Sequence, residues 1–98
     1  MKGGENMASN YENIVQYLKI FEGALDDEHE LGIIIPPLDR PFPLALTRSD
    51  GENFILFELV TDDKDTFAVV CNFSQLNFAI VSLPKETPDQ PPRRVGFL

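Results

Sequence analysis

The chain has 98 residues and a formal net charge of −8, with 43% hydrophobic and 24% charged residues. A domain of this length hides roughly 60–70% of the surface its unfolded chain exposes, so one core is expected, and the composition excludes an intrinsically disordered polymer. The charge excludes long-range attraction to nucleic acid or anionic lipid, no apolar run is long enough to span a bilayer, and the lone Cys71 excludes an internal disulfide.

Taken in order, the first residues carry no apolar centre of the signal-peptide kind, and the expected compartment is the cytoplasm. Lys2 to Asn6 followed by Met7 is what a purine-rich ribosome-binding site spells when translated in frame. The natural start is therefore expected at Met7, in a bacterium or phage, with residues 1–8 disordered. Ser9 to Glu12 fits the capping-box pattern of a helix start. Tyr11, Ile14, Val15, Leu18, Phe21 and Leu25 then recur at helical spacing, with Glu12, Asn13, Gln16, Lys19 and Glu22 on the other side. This predicts an amphipathic helix of about four turns that packs on a sheet and ends by Asp26 or Asp27, where acidic side chains oppose the helix dipole.

The run Asp26, Asp27, Glu28, His29 and Glu30 concentrates residue types that ligate divalent cations or act as acid and base. It lacks the glycine and the alternating ligands of a calcium loop, and consecutive side chains of an extended segment point opposite ways. The spacing predicts a solvated acidic connector, without metal or cofactor.

Strands are predicted next at Leu31 to Ile35, stopped by Pro36-Pro37, and at Phe42 to Thr47, where Phe42, Leu44 and Leu46 alternate with Pro43, Ala45 and Thr47. Asp50-Gly51 signals a hairpin into Phe54 to Val60, apolar on both faces apart from Glu58 and expected as a central strand with one face on the helix and the other largely covered. After the charged turn Thr61 to Thr66 comes the most apolar stretch, Phe67 to Pro84: two strands, expected in the core, around the polar turn Ser74, Gln75, Leu76 and Asn77. Cys71, mid-strand among apolar residues, reads as an inert thiol. Residues 84–92 are a proline-rich connector to Arg93, Arg94 and a short final strand expected against a sheet edge. Residues 9–98 thus predict a single α+β domain, one helix followed by about five mostly antiparallel strands forming a curved sheet or small barrel.

The helix-then-strands order is similar, at the level of fold, to Sm-like small barrels, although the chain lacks that family's characteristic Gly and Asp positions and its basic surface. The blocks Phe21 to Gly32, Ser74 to Phe78 and Pro92 to Phe97 resemble three signature blocks of a family of short, uncharacterised bacterial proteins. That resemblance brings no activity. It implies that the acidic run, the Ser74–Asn77 turn and the arginine pair belong to one design, with Arg93 and Arg94 folded back toward Asp26 to Glu30.

Three function classes compete. Phe42, Phe54, Phe57, Phe67, Phe73, Phe78 and Phe97 exceed what one helix covers, which favours a non-catalytic interaction or assembly module that self-associates as a dimer or higher oligomer. Its working surface is expected at Ser74, Gln75, Leu76 and Asn77, with Arg93 and Arg94 beside it. A small enzyme or metal-binding protein would use Asp26 to Glu30, and lacks a nucleophile with its base or a phosphate-cradling glycine loop. A single-stranded RNA binder would need aromatic rings beside basic groups, against the net charge.

Overall fold

The computed structural model describes residues 10–50, 53–85 and 94–98. The expected disordered start, the Ser9 cap, Gly51 of the hairpin, connector residues 86–92 and Arg93 lie outside these residues. The chain is α+β: helix α1 (Asn10–Gly23) precedes strands β1 (His29–Ile34), β2 (Phe42–Ser49), β3 (Phe54–Val60), β4 (Thr66–Asn72), β5 (Ala79–Pro84) and β6 (Gly96–Phe97). A short 3-10 helix, Phe73–Gln75, separates β4 from β5. The strands form one sheet in the order β4-β3-β2-β1-β5, not closed into a barrel, with β6 paired to β2. All pairings are antiparallel except β2 with β6.

The predicted helical stripe is the face that packs. Leu18 is fully buried, and Tyr11, Ile14, Phe21 and Leu25 pack around the core formed with Leu31, Ile33, Ile35, Leu44, Ile55, Phe57, Leu59 and Val95. The helix ends at Gly23, within the expected limit, because a glycine weakens the last turn. Ala24 and Leu25 then donate their N–H groups to Phe21 and Glu22 at 3.1 Å each, tightening the chain out of the helix. The sheet curls over this core. Phe57 on β3 and Phe78 beside β5 meet with ring centroids 5.2 Å apart, whereas strands three places apart in a flat sheet stand about 14 Å from each other. Phe42 and Phe67 make a second such contact, edge to face at 5.2 Å.

The β2 alternation read from sequence breaks at a bulge. Leu44 pairs with Leu59 but Leu46 pairs with Glu58, so Ala45 is an extra residue and every later side chain changes face. Thr47, not Leu46, is therefore fully buried, and its Oγ1 has no hydrogen-bond partner. The short final strand, expected against a sheet edge, takes an interior place: β1 covers only Phe42 and Pro43 of β2, and β6 fills the same side farther along at Leu46 and Thr47.

The largest departure concerns Phe67 to Pro84. No residue of this stretch is buried. Its two strands are the opposite edges of the sheet, and each lends only one side to the core: Phe67, Val69 and Cys71 from β4, Ile80 from β5. On β3 the expectation holds in part: Ile55, Phe57 and Leu59 point inward, and on the other face Val60 is buried, Leu56 and Glu58 are half-buried and Phe54 is 44% exposed. Among the described residues no helix is long and apolar enough to cross a membrane.

Candidate functional site

Asp26, Asp27 and Glu28 of the acidic run are exposed between α1 and β1, and the run also forms a structural corner. Asp26 Oδ1 accepts from the Glu28 N–H at 2.9 Å and lies 2.7 Å from His29 Nδ1. The His29 hydrogen bond first, and the Glu28 amide second, hold the Asp26 carboxyl below its ordinary pKa. His29 and Glu30 already belong to β1, where they pair with Pro84 and Leu83, and Glu30 is only 8% exposed. Asp27 and Glu28 contribute backbone: Lys85 Nζ donates to the Asp27 carbonyl at 2.6 Å, and the Lys85 N–H to the Glu28 carbonyl at 2.9 Å.

Beside this corner lies a cavity of about 190 Å³ lined by Glu22, Asp26, His29, Glu30, Lys85 and Arg94, among others. Arg94 thus lines one cavity together with residues of the acidic run. No three His, Cys, Asp or Glu side chains among the described residues converge as metal ligands must. The thiol of Cys71, pushed up in pKa by burial, sits away on edge strand β4.

The Ser74–Asn77 turn is built by a residue that the sequence reading passed over. Asn72 Oδ1 accepts from the Ser74 N–H at 2.9 Å and from Ser74 Oγ at 2.8 Å, capping the 3-10 turn. An Asn followed two residues later by Ser is a local capping signal that was available in the sequence. Leu76 packs against the core, while Ser74, Gln75 and Asn77 are exposed. The turn and Arg94 are not neighbours. The β1–β5 ladder runs from His29 opposite Pro84 to Ile34 opposite Ala79, so Arg94 sits at the acidic end and Ser74–Asn77 beyond the other.

Basic groups do lie over rings, Arg40 over Phe42 at 4.3 Å and Lys19 over Phe97 at 5.4 Å. These rings stand at opposite ends of β2 and each is capped by its own cation, so they do not form a stacking platform for successive bases.

The feature with the clearest chemical consequence is the pair of sheet edges. Within the ordered path β4-β3-β2-β1-β5, the inner strands carry Glu30, Arg48 and Glu58, whereas β4 (TFAVVCN) and β5 (AIVSLP) carry no charged residue. Val70 of β4 is 59% exposed. Compared with protein-family models, curated proteins and solved structures, the chain matches none.

Proposed function

We propose that the chain is a non-catalytic assembly module whose copies associate through the two free edges of the sheet. The observation that carries this reading is the charge distribution over the strands. An edge strand offers a row of unpaired N–H and C=O groups, and proteins that remain monomeric blunt such edges with lysines, glutamates, prolines or bulges. Here charge sits on the inner strands, while the edges are uncharged and only Pro84, at the end of β5, breaks them.

The two edges differ in sequence, so a contact that uses both is head-to-tail, β4 of one copy against β5 of the next. Such contacts close into a ring or run on as a filament. The net charge of −8 on each copy opposes the approach, and added salt, by screening that repulsion, strengthens association rather than weakening it.

Light scattering after size exclusion tests the reading. The expected wild-type species contains two or more copies and grows with ionic strength. Val70→Lys, which charges β4, and Ser82→Lys, which charges β5, each give monomers, and their equimolar mixture gives a one-to-one dimer through the two unaltered edges. A wild-type monomer at every accessible concentration overturns the proposal. A dimer of Ser82→Lys alone replaces head-to-tail pairing with β4 against β4.

A further inference from the structure

The segment Arg94–Leu98 is held as a bound peptide would be. Its Val95 N–H donates to Glu22 Oε2 at 2.9 Å, a charge-assisted bond. Gly96 and Phe97 pair in parallel with Leu46 and Thr47 of β2. The Leu98 N–H donates to the Thr47 carbonyl at 3.0 Å, and the Leu98 carbonyl lies 2.6 Å from the Tyr11 hydroxyl. Alternate side chains are read by different surroundings: Val95 enters the core at 8% exposure, and Phe97 lies under Lys19 Nζ. Main-chain bonds for affinity, with pockets for alternate residues, is the pattern of strand addition.

Every one of these partners comes from α1 or β2, and none from β5, to which the segment is joined through residues 86–93. A groove of about 510 Å³ lies along α1 beside the segment, lined by Tyr11, Asn13, Gln16, Lys19, Phe97 and Leu98.

We infer that the slot between α1 and β2 is a peptide-recognition site that accepts the Arg94–Leu98 segment of a second copy, so that copies exchange their β6 strands. Hydrogen bonds and strand pairing that come only from α1 and β2 cannot distinguish whose segment fills the slot, which is the condition for strand exchange. Charge complementarity points to the same occupant, because the segment brings Arg94 to a corner where Glu22, Asp26, Asp27 and Glu30 outnumber Lys85. Tethering keeps the chain's own segment in place at low concentration, since its effective concentration is in the millimolar range for a short linker. Exchange therefore requires release of that segment, by refolding or by mutation. This contact uses a surface separate from β4 and β5.

The test is made in full-length chains carrying Val70→Lys, so that edge pairing plays no part. Val95→Asp expels the chain's own segment, because an unpaired carboxylate is not accommodated in an apolar core. A labelled peptide of sequence Arg-Val-Gly-Phe-Leu is then titrated by fluorescence anisotropy. Saturable one-to-one binding is expected, weakened about tenfold or more when Asp replaces Val in the peptide. If the emptied chain melts without cooperativity, a cooperative melt restored by the peptide is the equivalent positive result. The absence of both overturns the inference. Co-refolding the Val95→Asp chain with a Glu22→Lys chain, whose own slot is damaged so that its Val95 segment is released, is expected to yield a one-to-one heterodimer. Peptide binding without that heterodimer overturns the assignment of a second copy and makes a segment of another protein the occupant.

Discussion

Strands β3 and β4 lie side by side and read alike as sequence, FILFELV against TFAVVCN, yet β3 buries Ile55, Phe57, Leu59 and Val60 while β4 buries nothing. Each alternates inward and outward side chains. The difference is that β3 has a strand on both sides and lies over Leu18 and the helix-facing core, whereas β4 has one neighbour. Apolar character states what a strand would gain by burial; the number of neighbours states what it obtains. In β4 and β5 the gap between the two stays open in the single chain, and the proposed edge pairing rests on it.

That contrast is broken most severely from the inside. Phe57→Ala empties a fully enclosed site and is expected to cost about 3–5 kcal/mol in a urea melt. Val70→Ala on β4, at 59% exposure, should change the stability of a single copy by no more than about 0.5 kcal/mol. Equal losses would mean that β4 is as enclosed as β3.

Gly32 tests how inner strand β1 is locked to edge strand β5. A Cβ there meets Leu83 Cγ at 2.8 Å and the Phe42 carbonyl oxygen at 3.1 Å. Gly32→Ala is therefore expected to destabilise by about 1–3 kcal/mol, because the backbone oxygen does not yield as a side chain does. A neutral effect would show that Leu83 and the β5 edge move aside freely.

Thr47 sharpens the comparison in the opposite direction, since it is an inner-strand residue that is polar where β4 is apolar. Its buried hydroxyl has no partner, so Thr47→Val is expected to stabilise by about 1 kcal/mol. For a domain of this size that raises the melting temperature by about 4–8 °C. No gain would place a partner on Oγ1.

Tyr11→Phe removes the hydroxyl that lies 2.9 Å from the Thr47 carbonyl and 2.6 Å from that of Leu98, at a cost of about 1 kcal/mol. It also changes the alkaline limb. Burial raises the Tyr11 pKa, partly offset by its hydrogen bonds at Thr47 and Leu98 and by the charge of Arg48. The folded state thus favours the neutral phenol. Its contribution is complete below the unfolded value of about 10 and is lost as pH rises through the higher folded one. Melts between neutral and strongly alkaline pH should show that loss in the wild type and not in the variant.

The smallest effect belongs to the exposed corner. The Asp26 carboxyl is held down in pKa by His29 first, so its contribution is present above the unfolded value of about 4 and is lost as pH falls through the lower folded one. Asp26→Asn keeps the acceptor for the Glu28 amide and should flatten the acid limb of a pH titration of stability. An unchanged limb would remove Asp26 from the pH response.

Some of this was legible in the residues themselves. The face of α1 is read at i, i+3 and i+4, and Leu18, Phe21 and their neighbours occupy the core as that periodicity demands. The α+β class follows equally from a helical period giving way to short apolar runs and turns. The uncharged edges were legible as composition, but not as edges.

What tertiary structure alone decided is the order of strands, and with it which apolar runs are enclosed. Strand pairing joins residues far apart in sequence, so no local pattern states that β4 and β5 end up at opposite edges or that β6 completes β2. The bulge at Ala45 belongs to the same class: one extra residue turned Thr47 inward against a regular alternation. A helix carries its period within one segment, whereas a strand acquires its inside and outside only from the neighbours that pair with it.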